Sequence, residues 1–107
     1  MTFNIKQNDT SPALEATCLN EDGAPIDLTG ATSVRFHMRN ATGTVVLDED
    51  MLVDDATGGI VVYVWDAADT AVVGRFQAEV EITFSNGRVE TFPNSGYLEV
   101  VIIDDIA

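Results

Sequence analysis

At 107 residues and 46% hydrophobic composition, the chain has the size of one domain, residues 1–107, with enough apolar material for a core that needs neither disulfide nor metal. No apolar run approaches the ~20 residues of a membrane-spanning helix. Eighteen acidic residues against five basic ones give a formal charge of -13, a field that repels phosphate backbones and anionic lipid. Neither nucleic acid nor a membrane is therefore an expected partner; the charge serves solubility or docking on a basic protein surface.

The first residues, Phe3 to Gln7, alternate weakly and predict a short strand that ends at Asn8-Asp9-Thr10-Ser11-Pro12. Nothing in this N-terminal stretch has the apolar core of a signal peptide, so synthesis and assembly in a host cytoplasm are expected. Ala13 to Leu19 predicts the second strand. It holds Cys18, the sole cysteine, which excludes an internal disulfide and reads in Leu14-x-Ala16-x-Cys18 as a small buried apolar side chain. Glu21 to Pro25 is a turn, and Ile26-Asp27-Leu28 is at most a strand stub.

Ser33 to Arg39 predicts a strand with Val34, Phe36 and Met38 inward and Arg35, His37 and Arg39 outward. After the turn around Gly43, Thr44 to Asp48 and Met51 to Val53 read as two short strands or one interrupted strand. Asp54 to Gly59 turns again. Ile60 to Trp65, IVVYVW, is apolar on both faces, with Val61, Tyr63 and Trp65 on one side and Ile60, Val62 and Val64 on the other. Such a strand is either covered on both sides or meets another chain. Asp66 to Ala71 suits one helical turn with an N-capping aspartate.

The clearest alternation lies in Arg75 to Phe84, where Phe76, Ala78, Val80, Ile82 and Phe84 share one face. Asn86-Gly87 suits a tight type I′ hairpin. A two-residue loop pairs Phe84 with Val89 and leaves Phe92 on the polar face opposite Glu81. Pro93 and Gly96 break the ladder, so Tyr97 to Ile103 is a separate last strand or a kinked continuation. Turn signals at roughly 10-residue intervals indicate an all-β sandwich or barrel.

Catalytic chemistry finds little support. His37 is the only histidine, it lies between two arginines, and no nucleophile motif accompanies it, so no enzyme activity and no cofactor are expected. The carboxylates of residues 48–55 lack the order of a calcium-binding loop and read as a charged surface, so no metal is expected. Two groups remain as candidate protein contacts. Arg35, His37 and Arg39 form a basic stripe, which cross-strand carboxylates such as Glu79 and Glu81 either neutralise or leave for an acidic patch on a neighbour. Val61, Tyr63 and Trp65 carry the aromatic character of interface centres, and suit a sandwich core equally.

Four stretches together resemble a known family: FNIKQNDT with Pro12-x-Leu14-x-Ala16; DLTGAT at residues 27–32 running into Val34-x-Phe36-x-Met38-Arg39; Val64-Trp65 with Asp69-Thr70; and Gly74-x-Phe76-x-Ala78-Glu79 through Asn86-Gly87-Arg88 to TFPN at residues 91–94. The chain is similar to the immunoglobulin-like N-terminal domain of tailed-phage baseplate upper proteins. That resemblance implies an immunoglobulin-like antiparallel β-sandwich of roughly seven to nine strands. It also implies a non-enzymatic virion protein, present in several copies and held to tail or baseplate subunits. The extension that follows this domain in the family, and carries receptor-binding proteins, is not expected past Ile106-Ala107. Decoration of the capsid exterior and recognition of host-surface sugars, through Trp65, Tyr63 or Tyr97, are the alternatives. An immunoglobulin-like sandwich hosts many activities and licenses none by itself.

Overall fold

The computed structural model describes residues 1–106. Nine strands are present among them: β1 (Thr2–Lys6), β2 (Leu14–Thr17), β3 (Ala31–Arg39), β4 (Val45–Asp50), β5 (Leu52–Asp55), β6 (Ile60–Tyr63), β7 (Gly74–Phe84), β8 (Val89–Phe92) and β9 (Leu98–Ile103). The expected helical turn is a single 3-10 turn, Ala67–Thr70, in which the Asp69 carboxylate accepts the Asp66 backbone N–H at 2.9 Å. Ile26 to Leu28 forms no strand; a lone bridge joins Leu19 to Pro25.

Two sheets form a sandwich. The larger runs β1-β9-β7-β3-β4, with β8 also on β7, and the smaller runs β2-β6-β5. Their facing sides share one core of Leu14, Ala16, Val61 and Tyr63 from the small sheet and Val34, Phe36, Met38, Val80, Ile82 and Val100, among others, from the large one. Each of these side chains sits on the inward phase of a two-residue period. The alternation in Arg75 to Phe84 is realised without a break along β7, and that strand pairs with β3 along most of its length.

The acidic run 48–50 belongs to a strand, not a loop. β4 is an edge of the large sheet and β5 an edge of the small one, so the chain changes layers at buried Met51, whose N–H donates to Val34 O at 2.9 Å. This resolves the choice left open by the sequence in favour of two strands.

The strand pairings among the described residues are antiparallel, as expected, with one exception: β1 runs parallel to β9. These strands lie at opposite ends of the chain, so no tight hairpin dictates their relative direction. Beyond β1 the chain is clasped by the 3-10 turn. Asn8 N–H donates to Thr70 O at 3.0 Å, and the buried Thr70 hydroxyl donates to Asp9 O at 2.8 Å.

The β7–β8 hairpin differs from the two-residue expectation. Phe84 N–H donates to Arg88 O and Gly87 N–H to Phe84 O, so the loop holds three residues, with Gly87 at φ 84. A type I turn followed by a left-handed glycine makes this longer loop. Thr83 now faces Val89 and Val80 faces Phe92. One extra loop residue reverses every side chain of β8, so Phe92 lies in the core at 4% exposure instead of on the polar face.

β8 and β9 are one interrupted strand on the same edge of β7. Ala78 and Val80 are two positions apart, whereas their partners Leu98 and Phe92 are six apart. Four residues therefore loop out around Pro93 to Gly96, as the proline and glycine indicated. The excursion brings Tyr97 to the outer surface.

Candidate protein interaction face

The two groups of candidate contact residues go to opposite places. Val61, Tyr63 and Trp65 point inward, at 0%, 4% and 2% exposure. The Phe36 and Tyr63 rings stack across the two layers at 4.7 Å between centroids, and Trp65 meets Tyr63 edge-on at 5.0 Å and stacks with Phe3 at 5.8 Å. This corrects their reading as partner contacts: an aromatic cluster that fills the space between two sheets has no surface left to offer. The hydroxyl of Tyr63 donates to Asp69 at 2.6 Å, and burial followed by that hydrogen bond raises its pKa.

Arg35, His37 and Arg39 do lie on the outer face of the large sheet, because β3 buries Val34, Phe36 and Met38 on the alternate phase. Their surroundings differ along the strand. Arg35 stands between Asp50 on β4 and Glu81 on β7, and His37 between Asp48 and Glu79. Arg39 stands between Val45 and Gln77.

Hydrogen bonds follow the same gradient. Arg35 reaches Asp48 Oδ1 through Nη2 at 2.9 Å and Asp50 Oδ1 through Nη1 at 2.8 Å, while His37 Nε2 lies 3.1 Å from Asp48 Oδ1. Hydrogen bonding from Arg35 holds the Asp48 carboxyl below the ordinary carboxylate value, and the contacts with Asp50 and Asp48 raise the pKa of Arg35. The neutralising carboxylates are thus those of β4 and not Glu79 and Glu81. The alternate aspartates in 48-DED-50 were the sequence signal, legible only once β4 is known to flank β3. Arg39 makes no ion pair among the described residues, and its Nε donates to Gln77 Oε1 at 2.8 Å.

A cleft of about 280 Å³ opens at the Arg39 end, lined by His37, Arg39, Asp48, Gln77, Glu79 and Tyr97 among others. Tyr97 is 48% exposed. A guanidinium without an ion pair among the described residues and a partly exposed aromatic ring converge here beside Glu79, and arginine and tyrosine are residue types that anchor protein contacts. Among the described residues no three or more His, Cys, Asp or Glu side chains are grouped so as to hold a metal ion.

The sequence of residues 2–92 matches the family model described as the BppU N-terminal domain. The chain belongs to the baseplate upper protein N-terminal domain family. Membership points to a structural role in a phage tail or baseplate, to contact with other virion proteins and to a place within the virion. The matched span ends with β8, while β9 joins β1 to the rest of the large sheet, so this fold needs residues beyond it.

Solved structures share the architecture. The N-terminal domain of phage TP901-1 ORF48 superposes with a TM-score of 0.67 at 17% identity, covering 96% of this chain and 85% of that one. CopC from Methylosinus trichosporium OB3b superposes at 0.55 with 9% identity, covering 99% and 87%. At these identities the likeness is one of fold alone. None of the curated proteins matches the sequence.

Proposed function

We propose that the chain is a non-enzymatic, immunoglobulin-like module of a tailed-phage virion, a single domain mounted in several copies on the tail or baseplate through protein–protein contacts. The observation that carries this reading is the family match over residues 2–92. The large sheet supports it with a contact surface: the cleft bounded by Arg39 of β3, Gln77 and Glu79 of β7, and Tyr97 just before β9 faces outward, where an acidic or polar side chain of a neighbouring subunit meets an arginine that has no carboxylate partner among the described residues. Arg35 and His37, already satisfied by Asp48 and Asp50, set the shape of the face more than its charge.

Quantitative mass spectrometry of purified particles tests the proposal. Between a few and roughly a few dozen copies per particle, lost when tails are removed, is the expected result for a tail or baseplate ring. Absence from purified particles overturns the virion role. Hundreds of copies on isolated heads overturn the tail placement and favour capsid decoration.

Sugar recognition keeps one supporting observation. Tyr63 and Trp65 are buried, but Tyr97 stands exposed beside the hydrogen-bonding groups of Arg39, Gln77 and Glu79. Binding to a host-surface glycan on an array, abolished by Tyr97→Ala, is the result that establishes this reading, and an array without a binder removes it.

A further inference from the structure

Burial of Val61, Tyr63 and Trp65 moves the question of a second contact to the opposite side of the same strand. Ile60, Val62 and Val64 turn away from the core. Val62 faces Leu52 across the β5–β6 pairing and Glu15 across the β2–β6 pairing. Leu52 is 64% and Val64 57% exposed, and Ile60 and Val62 are half-buried. The outer face of the small sheet therefore has an apolar centre, where an antiparallel sheet with a wet face ordinarily carries polar side chains.

The charge around this centre has one sign. All five Lys and Arg residues, Lys6, Arg35, Arg39, Arg75 and Arg88, lie on strands of the large sheet or in its β7–β8 hairpin. The strands of the small sheet carry none and contribute Glu15, Asp54 and Asp55. A second copy placed face to face is disfavoured, since a two-fold contact sets each residue patch against itself and brings these carboxylates together.

We infer that the outer face of β2-β6-β5 is a second docking surface, whose occupant is a different virion subunit with an apolar patch rimmed by lysine or arginine. This rests on the virion role proposed above and deepens it. Contacts on the outer faces of both layers make the domain a bridge between two neighbours. Leu52, Val62 and Val64 supply the desolvated centre, while the carboxylates select a cationic rim and discriminate against another copy.

The test places two double variants of the full chain in the phage that encodes it and counts copies in purified particles by quantitative mass spectrometry. Leu52→Ser with Val64→Ser removes the apolar centre, and Glu15→Lys with Asp54→Lys reverses the rim. All four positions are exposed, so both variants are expected to keep the wild-type circular dichroism spectrum and melting behaviour. Each is expected to lower incorporation by about tenfold or more. Wild-type incorporation of the serine variant overturns the surface, and wild-type or higher incorporation of the lysine variant overturns the basic partner. Zero-length cross-linking of Glu15 or Asp54 to Lys6 of another copy overturns the choice of occupant. If the unaltered chain is itself missing from particles, the virion role falls, and with it this inference; if the unaltered chain is present and only the variants behave as wild type, the inference alone falls.

Discussion

The Tyr63 hydroxyl and the Asp69 carboxylate, 2.6 Å apart, join the inner face of β6 to the 3-10 turn that follows it. Six residues separate them, and the same carboxylate oxygen accepts the Asp66 backbone N–H. One aspartate therefore holds both the ring at the centre of the aromatic cluster and the start of the crossover to β7.

Substitution at Tyr63 separates this role from a surface role. Tyr63→Phe keeps the ring stacked on Phe36 and removes one hydrogen bond to a charged group, an expected loss of about 1.5–3 kcal/mol by chemical denaturation. Tyr63→Asp buries an unpaired charge beside Asp69 and is expected to abolish the folded circular dichroism spectrum. A folded Tyr63→Asp variant contradicts the inward placement.

Phe92 reports the hairpin register. In the observed pairing it is buried and Val89 is 58% exposed. Phe92→Ala is expected to cost about 3–5 kcal/mol, and Val89→Ser less than about 0.5 kcal/mol, in paired urea titrations. A two-residue loop predicts the reverse order.

Two glycines of similar conformation are expected to respond unequally. Gly59 has φ 69, and a Cβ there lies 2.8 Å from Ile26 O and 2.9 Å from Cys18 O, both backbone atoms that cannot move aside. Gly87 has φ 84 with open space around it. Gly87→Ala is expected to cost about 1 kcal/mol for the left-handed backbone alone, and Gly59→Ala at least about 2–3 kcal/mol, because strain and collision add. Thermal melts of the two variants give the comparison.

Cys18 makes stability sensitive to alkali. Burial, with a smaller push from Glu90, raises its pKa from 9.0 to about 11. The fold thus favours the neutral thiol, so the contribution is complete below pH 9 and is lost as pH rises toward 11. The melting temperature of the wild type is expected to fall more steeply over this interval than that of Cys18→Ala. Tyr63, whose pKa is also raised, is common to both proteins and cancels in the comparison. Parallel curves contradict a buried thiol.

Local pattern alone determined the all-β class, the inward set Val34, Phe36 and Met38, the outward stripe Arg35, His37 and Arg39, the unbroken alternation of β7 and the break near Pro93, because a two-residue period and the φ requirements of turns are written in neighbouring residues. Tertiary structure decided which face of 60-IVVYVW-65 is the core. Both faces are apolar, and only the opposing sheet, with Phe36 placed against Tyr63, breaks that symmetry. It also decided the register of β8, set by one loop residue, and the partners of Arg35, since Asp48 and Asp50 become neighbours only when β4 lies beside β3. Pairing between distant strands depends on loop geometry and on burial summed over both layers, and neither is a property of any short stretch of chain.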